Sequence, residues 1–306
     1  MTFLSFKQLV NKVDQLEEAN ILIAALEFRV FTHLGKRRLT SRAFAQKSRI
    51  YPEGAEALLN ALVSLGALKK SGNTFANTAE TFRHFCEHSP QYKIGTVFLC
   101  KENRDEWSHL LDIIKNGRNP SGNDDDDPEF REPFTYAMHE RSQNFSKPLA
   151  QFITRKPVGI LVDIGGGSGS YSAEILKQDK SARAVLIDRS ASLKIAKKIL
   201  KNSAVIERFD FVSGDLFKVS FGNETDTVLY SNILHIYNES ENLRLFEKIY
   251  KSLKPGGRFI LVDLFLKNNR TEPQDAALFS LTMLLFTAKG RTYTFDETKK
   301  LLKKSG

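Results

Sequence analysis

The chain has 306 residues, of which 41% are hydrophobic and 26% charged, and its formal net charge is +9. That length holds two domains with sizeable cores, and the composition is that of a soluble globular protein. Its two cysteines, Cys86 and Cys100, form neither a disulfide framework nor a metal-ligand spacing, so a reducing cytoplasm is the expected compartment. The first twenty residues lack a signal-peptide core, and the apolar stretch 276–288 is too short and too polar to span a bilayer.

The N-terminal region, about residues 1–95, carries thirteen Lys and Arg against eight Asp and Glu, thinly spread apart from Lys36-Arg37-Arg38. Val13, Leu16, Ala19, Ile23, Leu26 and Phe31 recur at helical spacing. A short helix over 39–48 is capped by Thr40 or Ser41, another opens at Tyr51-Pro52-Glu53-Gly54, and residues 68–75 read as a hairpin with a Ser-Gly-Asn turn. Helix, helix, helix, hairpin is the order of a winged helix, used either to enter a DNA groove or to pack and dimerise. The proposed recognition helix, EGAEALLNALVSLGAL, has no Lys or Arg, so it can neither anchor phosphates nor fork onto guanine; dimerisation is the expectation, with no nucleic-acid partner.

Residues 96–155 read as a helical connector. Residues 97–114 are expected to be one helix, 116–128 a polar loop, and 134–152 a helix with Met138 and Phe145 on one side. The run Asp124 to Asp127 lacks the alternating ligands and closing glutamate of an EF-hand and reads as a solvated acidic loop. Stripes such as Phe134 and Met138 are usually core, but a linker between domains also forms one wall of a cleft.

From about 156 to 306, strands and helices alternate. Ile160-Leu161-Val162 is a buried parallel strand ended by Asp163, and Gly165, Gly167 and Gly169 follow in a tight turn into a helix. Glycine there permits positive φ and lets a ligand lie against backbone, with helix N–H groups pointing at it. The dinucleotide pattern fails because Ser170 stands where glycine is needed, and the P-loop fails for want of a lysine. Asp188 ends a second strand, where a carboxylate accepts hydrogen bonds from ribose hydroxyls, or else caps the next helix. Asp215 follows a third strand, placed to accept an adenine amino group with Leu216 and Phe217 near the ring. A fourth strand leads into Ser231-Asn232-Ile233-Leu234-His235. A helix over 241–253, ended by Lys254-Pro255-Gly256-Gly257, precedes a fifth strand over 258–263. The expected fold is a doubly wound parallel sheet with its ligand site at the carboxyl ends of the strands.

Asp163-x-Gly165-x-Gly167-x-Gly169 resembles the first motif of class I methyltransferases that use S-adenosylmethionine. With GDLF, LYSNILHIYNES, SLKPGGRFILVD and FSLTMLLFTAKGRTYTFDE, nearly the whole chain resembles the O-methyltransferases of the plant caffeate and animal hydroxyindole type. The resemblance implies a winged-helix dimerisation domain that helps wall its partner's pocket, and a Rossmann-like sheet in order 3-2-1-4-5. It implies S-adenosylmethionine as cofactor, with S-adenosylhomocysteine as product and no metal. Asp163, Gly165, Gly167, Gly169, Asp188, Asp215, Leu216, Phe217 and Asn232 are then the cofactor-binding residues. His235 becomes the general base; by itself the sequence leaves a satisfied strand-end histidine equally open.

A histidine suits that role, because a phenol near pKa 10 is protonated at neutral pH and an imidazole near 6.5 is largely free base. Asp263 stands at the first of two acids flanking the histidine, in place of glutamate, and Gly290 stands at the second. His235-Ile236-Tyr237 replaces the family's His-Asp-Trp, and the family's closing antiparallel hairpin has no counterpart before Gly306. The expected substrate is a small aromatic or polyketide-like hydroxyl compound held by Phe134, Met138, Thr282, Met283 and Phe286. A cofactor-binding sensor without methyl transfer, a winged-helix regulator, and N- or C-methylation are the alternatives.

Overall fold

The structure is a computed structural model that describes residues 3–118 and 127–306; Asp124 to Asp126 of the expected acidic loop lie outside the described residues. The chain divides into two compact units, residues 1–105 and 106–306. The division falls past the boundary expected near 95 and cuts the expected connector: the helix expected over 134–152 lies in the second unit, while most of the helical segment that opens the connector lies in the first.

In the first unit, α1 (Phe6–Glu27) is followed by α2 (Val30–Leu34), β1 (Leu39–Thr40), α3 (Ser41–Ser48), α4 (Pro52–Ser64), β2 (Leu68–Ser71), β3 (Thr74–Asn77) and α5 (Ala79–Phe85). A capping box between Ser5 and Gln8 starts α1, Thr40 caps α3, and Pro52 occupies the first turn of α4, where its missing N–H costs nothing. β2 and β3 pair antiparallel with Ser71 opposite Thr74 across Gly72-Asn73, and β1 adds a third short strand beside β3. Val30, Phe31, Leu34, Phe44, Leu59, Leu62 and Phe75 form the core. The helical periodicity of α1 is real, but only its last turns join that core. Phe6, Val13 and Leu16 are 82%, 70% and 62% exposed, so this part of the apolar stripe lies on the surface of the unit.

Helix α6 (Ile94–Ser108) and α7 (Leu110–Asn116) replace the single helix expected over 97–114, broken at His109. The second unit continues with α8 (Pro128–Ile153), β4 (Ile160–Ile164), α9 (Ser170–Gln178), β5 (Arg183–Asp188), α10 (Ser190–Leu200), β6 (Phe209–Ser213), β7 (Thr225–Ser231), α11 (Glu239–Ser252), β8 (Leu253–Val262), α12 (Gln274–Phe286) and α13 (Phe295–Ser305). The five strands are parallel in the order β6-β5-β4-β7-β8, which is the expected 3-2-1-4-5. Alternation along each strand divides the apolar residues between two faces. Leu161, Leu186 and Leu229 face one core with Leu149, Ile153, Ile175 and Leu193 from α8, α9 and α10. Val162, Ile187, Val228 and Tyr230 face the other with Phe246, Ile249 and Leu301 from α11 and α13.

Two boundaries differ from expectation. β4 runs through Asp163 to Ile164, so Asp163 lies inside the strand. Lys254-Pro255-Gly256-Gly257 does not separate helix from strand: β8 begins at Leu253, opposite Thr225, and pairing resumes with Arg258 opposite Thr227. The four residues form an irregularity within the strand pairing. Gly257 is needed there because a Cβ would lie 2.9 Å from the Thr225 carbonyl oxygen. Asp263 follows the last strand residue.

Candidate functional site at the strand ends

The carboxyl ends of β4 and β7 are neighbours whose crossovers leave in opposite directions, which opens the crevice of a doubly wound sheet. The glycine turn lies there, and its glycines do different work. A Cβ at Gly165 would lie 2.4 Å from Ile233 Cδ1, and one at Gly166 would lie 2.3 Å from Leu186 Cδ1, so these two are demanded by packing. Gly167, at φ +55°, would have nothing within 4 Å of a Cβ. Its face is open, leaving the backbone accessible there. Gly169 caps α9 in the left-handed conformation, with Leu186 and Leu200 beneath it.

Asp163 is 1% exposed. Ser172 Oγ donates to its Oδ2 at 2.5 Å, while Oδ1 has no partner. Burial pushes the carboxyl up from 3.8 to about 7; the Ser172 hydroxyl opposes this and nearby Asp188 adds to it. Asp163 therefore sits behind the turn, one residue deeper than a strand-end contact.

Asp188 ends β5. Its Oδ2 accepts from the Gly167 N–H at 2.7 Å and its Oδ1 from the Arg189 N–H at 2.6 Å. Burial raises this carboxyl, against the two N–H donors and Arg131. Arg189, not Asp188 or Ser190, occupies the N-cap of α10. Asp215 Oδ1 accepts from the Phe217 N–H at 2.9 Å. Phe217 stands edge-on to Tyr237 at 5.2 Å, with the Arg244 guanidinium 5.0 Å over its ring. Leu216 is part of the core. Asn232 takes a left-handed φ of +58°, and its N–H donates to the Val262 carbonyl at 2.8 Å, tying the ends of β7 and β8 together.

His235 follows β7 and meets Asp263, which follows β8. Nδ1 lies 2.8 and 3.0 Å from the two oxygens of Asp263, whose side chain is 1% exposed against 12% for the histidine. The Asp263 carboxylate also accepts the backbone N–H of His235 at 3.3 Å and of Leu264 at 2.7 Å. A carboxylate only accepts, so Nδ1 carries the hydrogen and Nε2 keeps the lone pair of the neutral ring. Phe279 of α12 packs edge-on to the imidazole at 4.9 Å.

At Gly290 no second acid has room. A Cβ there would lie 2.2 Å from the His235 carbonyl oxygen and 2.9 Å from that of Ile236. The glycine lets one backbone segment press against another.

The residues expected to line a substrate pocket divide between two helices with different neighbours. Phe134 and Met138 are half-buried on α8, which packs on α9 and α10. Thr282 and Phe286 are half-buried and Met283 buried on α12, which contacts α7. Sequence reasoning missed Phe279, because nothing local marks its contact with a histidine 44 positions away. It also missed His139, whose Nδ1 lies 2.7 Å from Ser170 Oγ, which in turn lies 2.7 Å from Ser168 Oγ, so that α8 is tied to the glycine turn.

Two outcomes follow from this geometry. A carboxyl held at about 7 in the folded chain, against an ordinary value near 3.8, keeps its proton in the native state over that interval. Its contribution to stability is therefore lost as pH rises from about 4 to 7. Asp163→Asn is expected to match the parent's unfolding free energy near pH 4 and exceed it at pH 8; equal pH profiles in denaturant titrations would count against the buried-acid account. Gly290→Ala is expected to cost about 1–3 kcal/mol through overpacking, read as a fall in the thermal midpoint.

Residues 107–306 match a family model described as the O-methyltransferase domain. The chain is 27% identical over 293 residues to the tetracenomycin polyketide synthesis 8-O-methyl transferase TcmO of Streptomyces glaucescens, covering 93% of this chain and 86% of that protein. It is 28% identical over 315 residues to acetylserotonin O-methyltransferase of Bos taurus, covering 94% and 88%. The solved structure of human N-acetylserotonin methyltransferase in complex with SAM shares the fold, at a TM-score of 0.80 and 24% identity over 100% of this chain and 92% of that one. The chain belongs to the O-methyltransferase family, whose members take the methyl group they transfer from S-adenosylmethionine.

Proposed function

We propose that the protein methylates a hydroxyl of a small aromatic or polyketide-like molecule, with His235 as general base. The observation that carries this reading is the His235–Asp263 pair, which commits Nδ1 to the carboxylate and leaves Nε2 to take a proton. When bound, S-adenosylmethionine supplies an electrophilic methyl group on a sulfonium. The glycine turn fits such a group: Gly167 is open on its face, and Asp188 and Asp215 stand at the neighbouring strand ends to accept from ribose hydroxyls and the adenine amino group. Asp163 holds the turn from behind, and Gly165, Gly169, Leu216, Phe217 and Asn232 shape its surroundings.

With the cofactor bound, the acceptor oxygen would take the methyl group from the sulfonium, leaving the neutral thioether S-adenosylhomocysteine; for that, Nε2 of His235 would take the hydroxyl proton and Asp263 would stabilise the imidazolium that forms. Phe279 covers one side of the ring and limits water beside it. Phe134, Met138, Thr282, Met283 and Phe286 supply apolar contacts suited to a flat substrate. The relatives' own names, one from polyketide synthesis and one for acetylserotonin, agree with that class.

A homodimer belongs to the same reading. Phe6, Leu9, Val13 and Leu16 form an exposed apolar stripe at helical spacing on α1, which a second copy of the chain would cover. Among the described residues no helix is long and apolar enough to cross a membrane, and Cys86 and Cys100 form no disulfide.

His235→Ala is expected to lower turnover of a phenolic acceptor by ~10²–10⁴-fold while leaving the calorimetric affinity for S-adenosylhomocysteine unchanged; full turnover in the variant would remove His235 as base. The double substitution Val13→Asp with Leu16→Asp is expected to turn a dimer into a monomer in sedimentation equilibrium, and an unchanged mass would place the interface elsewhere.

A further inference from the structure

Seven residues, 232–238, separate β7 from α11, and His235 sits among them on a single short helical turn, Leu234–Ile236. With Gly290 pressed against its backbone and only one acid beside its ring, the imidazole depends on how firmly this loop is held. Asn242, in the second turn of α11, is 0% exposed. Its Nδ2 lies 2.9 Å from the Leu234 carbonyl oxygen, 3.0 Å from that of Tyr237, 3.1 Å from that of Asn238 and 3.3 Å from the Tyr293 hydroxyl, so its two N–H groups are shared among acceptors before and after His235. Its Oδ1 accepts from the hydroxyl of buried Tyr230 at 3.0 Å. The hydroxyl of buried Tyr293 donates to the same Tyr237 carbonyl at 2.7 Å. Burial pushes both phenols above their ordinary value, so both remain O–H donors near neutral pH. This arrangement also fixes the amide's orientation, because the three carbonyls need a donor and the tyrosine hydroxyl an acceptor.

We infer that Asn242 is a positioning residue for His235: the Tyr230–Asn242–Tyr293 clamp holds the loop so that the imidazole meets Asp263 and presents Nε2 to the substrate. The clamp takes over part of the restraint that a second acid would supply where Gly290 stands. Its catalytic consequence rests on His235 being the base. Without the amide the Tyr237 and Asn238 carbonyls keep the Tyr293 hydroxyl and the backbone N–H of residue 242, but the Leu234 carbonyl loses this donor; an unsatisfied carbonyl in this place is costly, so the loop moves to find another.

The experiment uses the full chain with Asn242→Ala, Asn242→Ser and Tyr293→Phe, each also made in a His235→Ala background. Turnover and KM are measured with a phenolic acceptor, S-adenosylhomocysteine affinity by calorimetry, and the His235 imidazole by nitrogen-15 NMR. Asn242→Ala is expected to lower kcat by ~10²-fold, the scale of a misplacement near 1 Å, with KM and S-adenosylhomocysteine affinity little changed. It is expected to cost almost nothing further in the His235→Ala background, and to broaden or split the His235 imidazole signal. Asn242→Ser, which keeps one donor, recovers part of the loss, and Tyr293→Phe shows a smaller effect of the same kind. An unchanged imidazole spectrum, an unchanged kcat, or an equal loss in the His235→Ala background overturns the clamp. Full turnover in His235→Ala alone overturns the base reading instead, and the spectrum then still decides whether Asn242 positions the ring. If Asn242→Ala does not fold, the serine and phenylalanine variants carry the same comparisons.

Discussion

Because β4 pairs in parallel with both β5 and β7, and these in turn with β6 and β8, all five strands deliver their carboxyl ends to one edge of the sheet. Residues far apart in sequence, from Asp163 to Asp263, are collected there by backbone hydrogen bonding alone. The alternation of side chains along the same strands buries two separate cores, which keeps that edge rigid. The crevice between β4 and β7 is thus a consequence of topology, and the side chains that line it decide its chemistry.

The carboxylates at the strand ends call for donors, since an ionised group taken out of water without hydrogen bonds neutralises. Asp188 has two backbone N–H groups, Asp215 has one, and Asp263 has two with an imidazole besides. Asp163 has a single hydroxyl and one oxygen without a partner, and it is the carboxyl pushed to about 7. Their surroundings differ: Asp188 and Asp215 are partly exposed at the strand ends, Asp263 is buried against the His235 ring, and Asp163 supports the turn from within. The four glycines of the turn divide likewise, Gly165 by contact with Ile233, Gly166 by contact with Leu186, Gly169 as a helix cap, and Gly167 by its open face.

The histidine is held by two systems of different character. Asp263 acts on the ring and fixes which nitrogen is free, whereas the buried amide of Asn242 acts on the backbone that carries the ring. Gly290 closes the site that an additional acid would need. The residues around the histidine are therefore packed and hydrogen-bonded on both the ring and the backbone that carries it.

The strand order was implied by resemblance to a family; the sequence by itself determined the strands, the glycine turn and the alignment of Asp188, Asp215, His235 and Asp263 at strand ends. Those features rest on local rules: apolar runs, glycine where φ is positive, and right-handed crossovers. It also carried the order of helices and hairpin in the first unit and the absence of cations from α4. Only the tertiary structure decided that Asp163 lies inside its strand, that Val13 and Leu16 are exposed, that Lys254 to Gly257 interrupt a strand pairing, and that Gly290 is pressed against His235. It alone joined His139 to Ser170, Phe279 to His235 and Asn242 to the loop. The physical reason is the same in each case: periodicity states which face a residue is on, but burial and hydrogen bonding depend on what the rest of the chain places against that face.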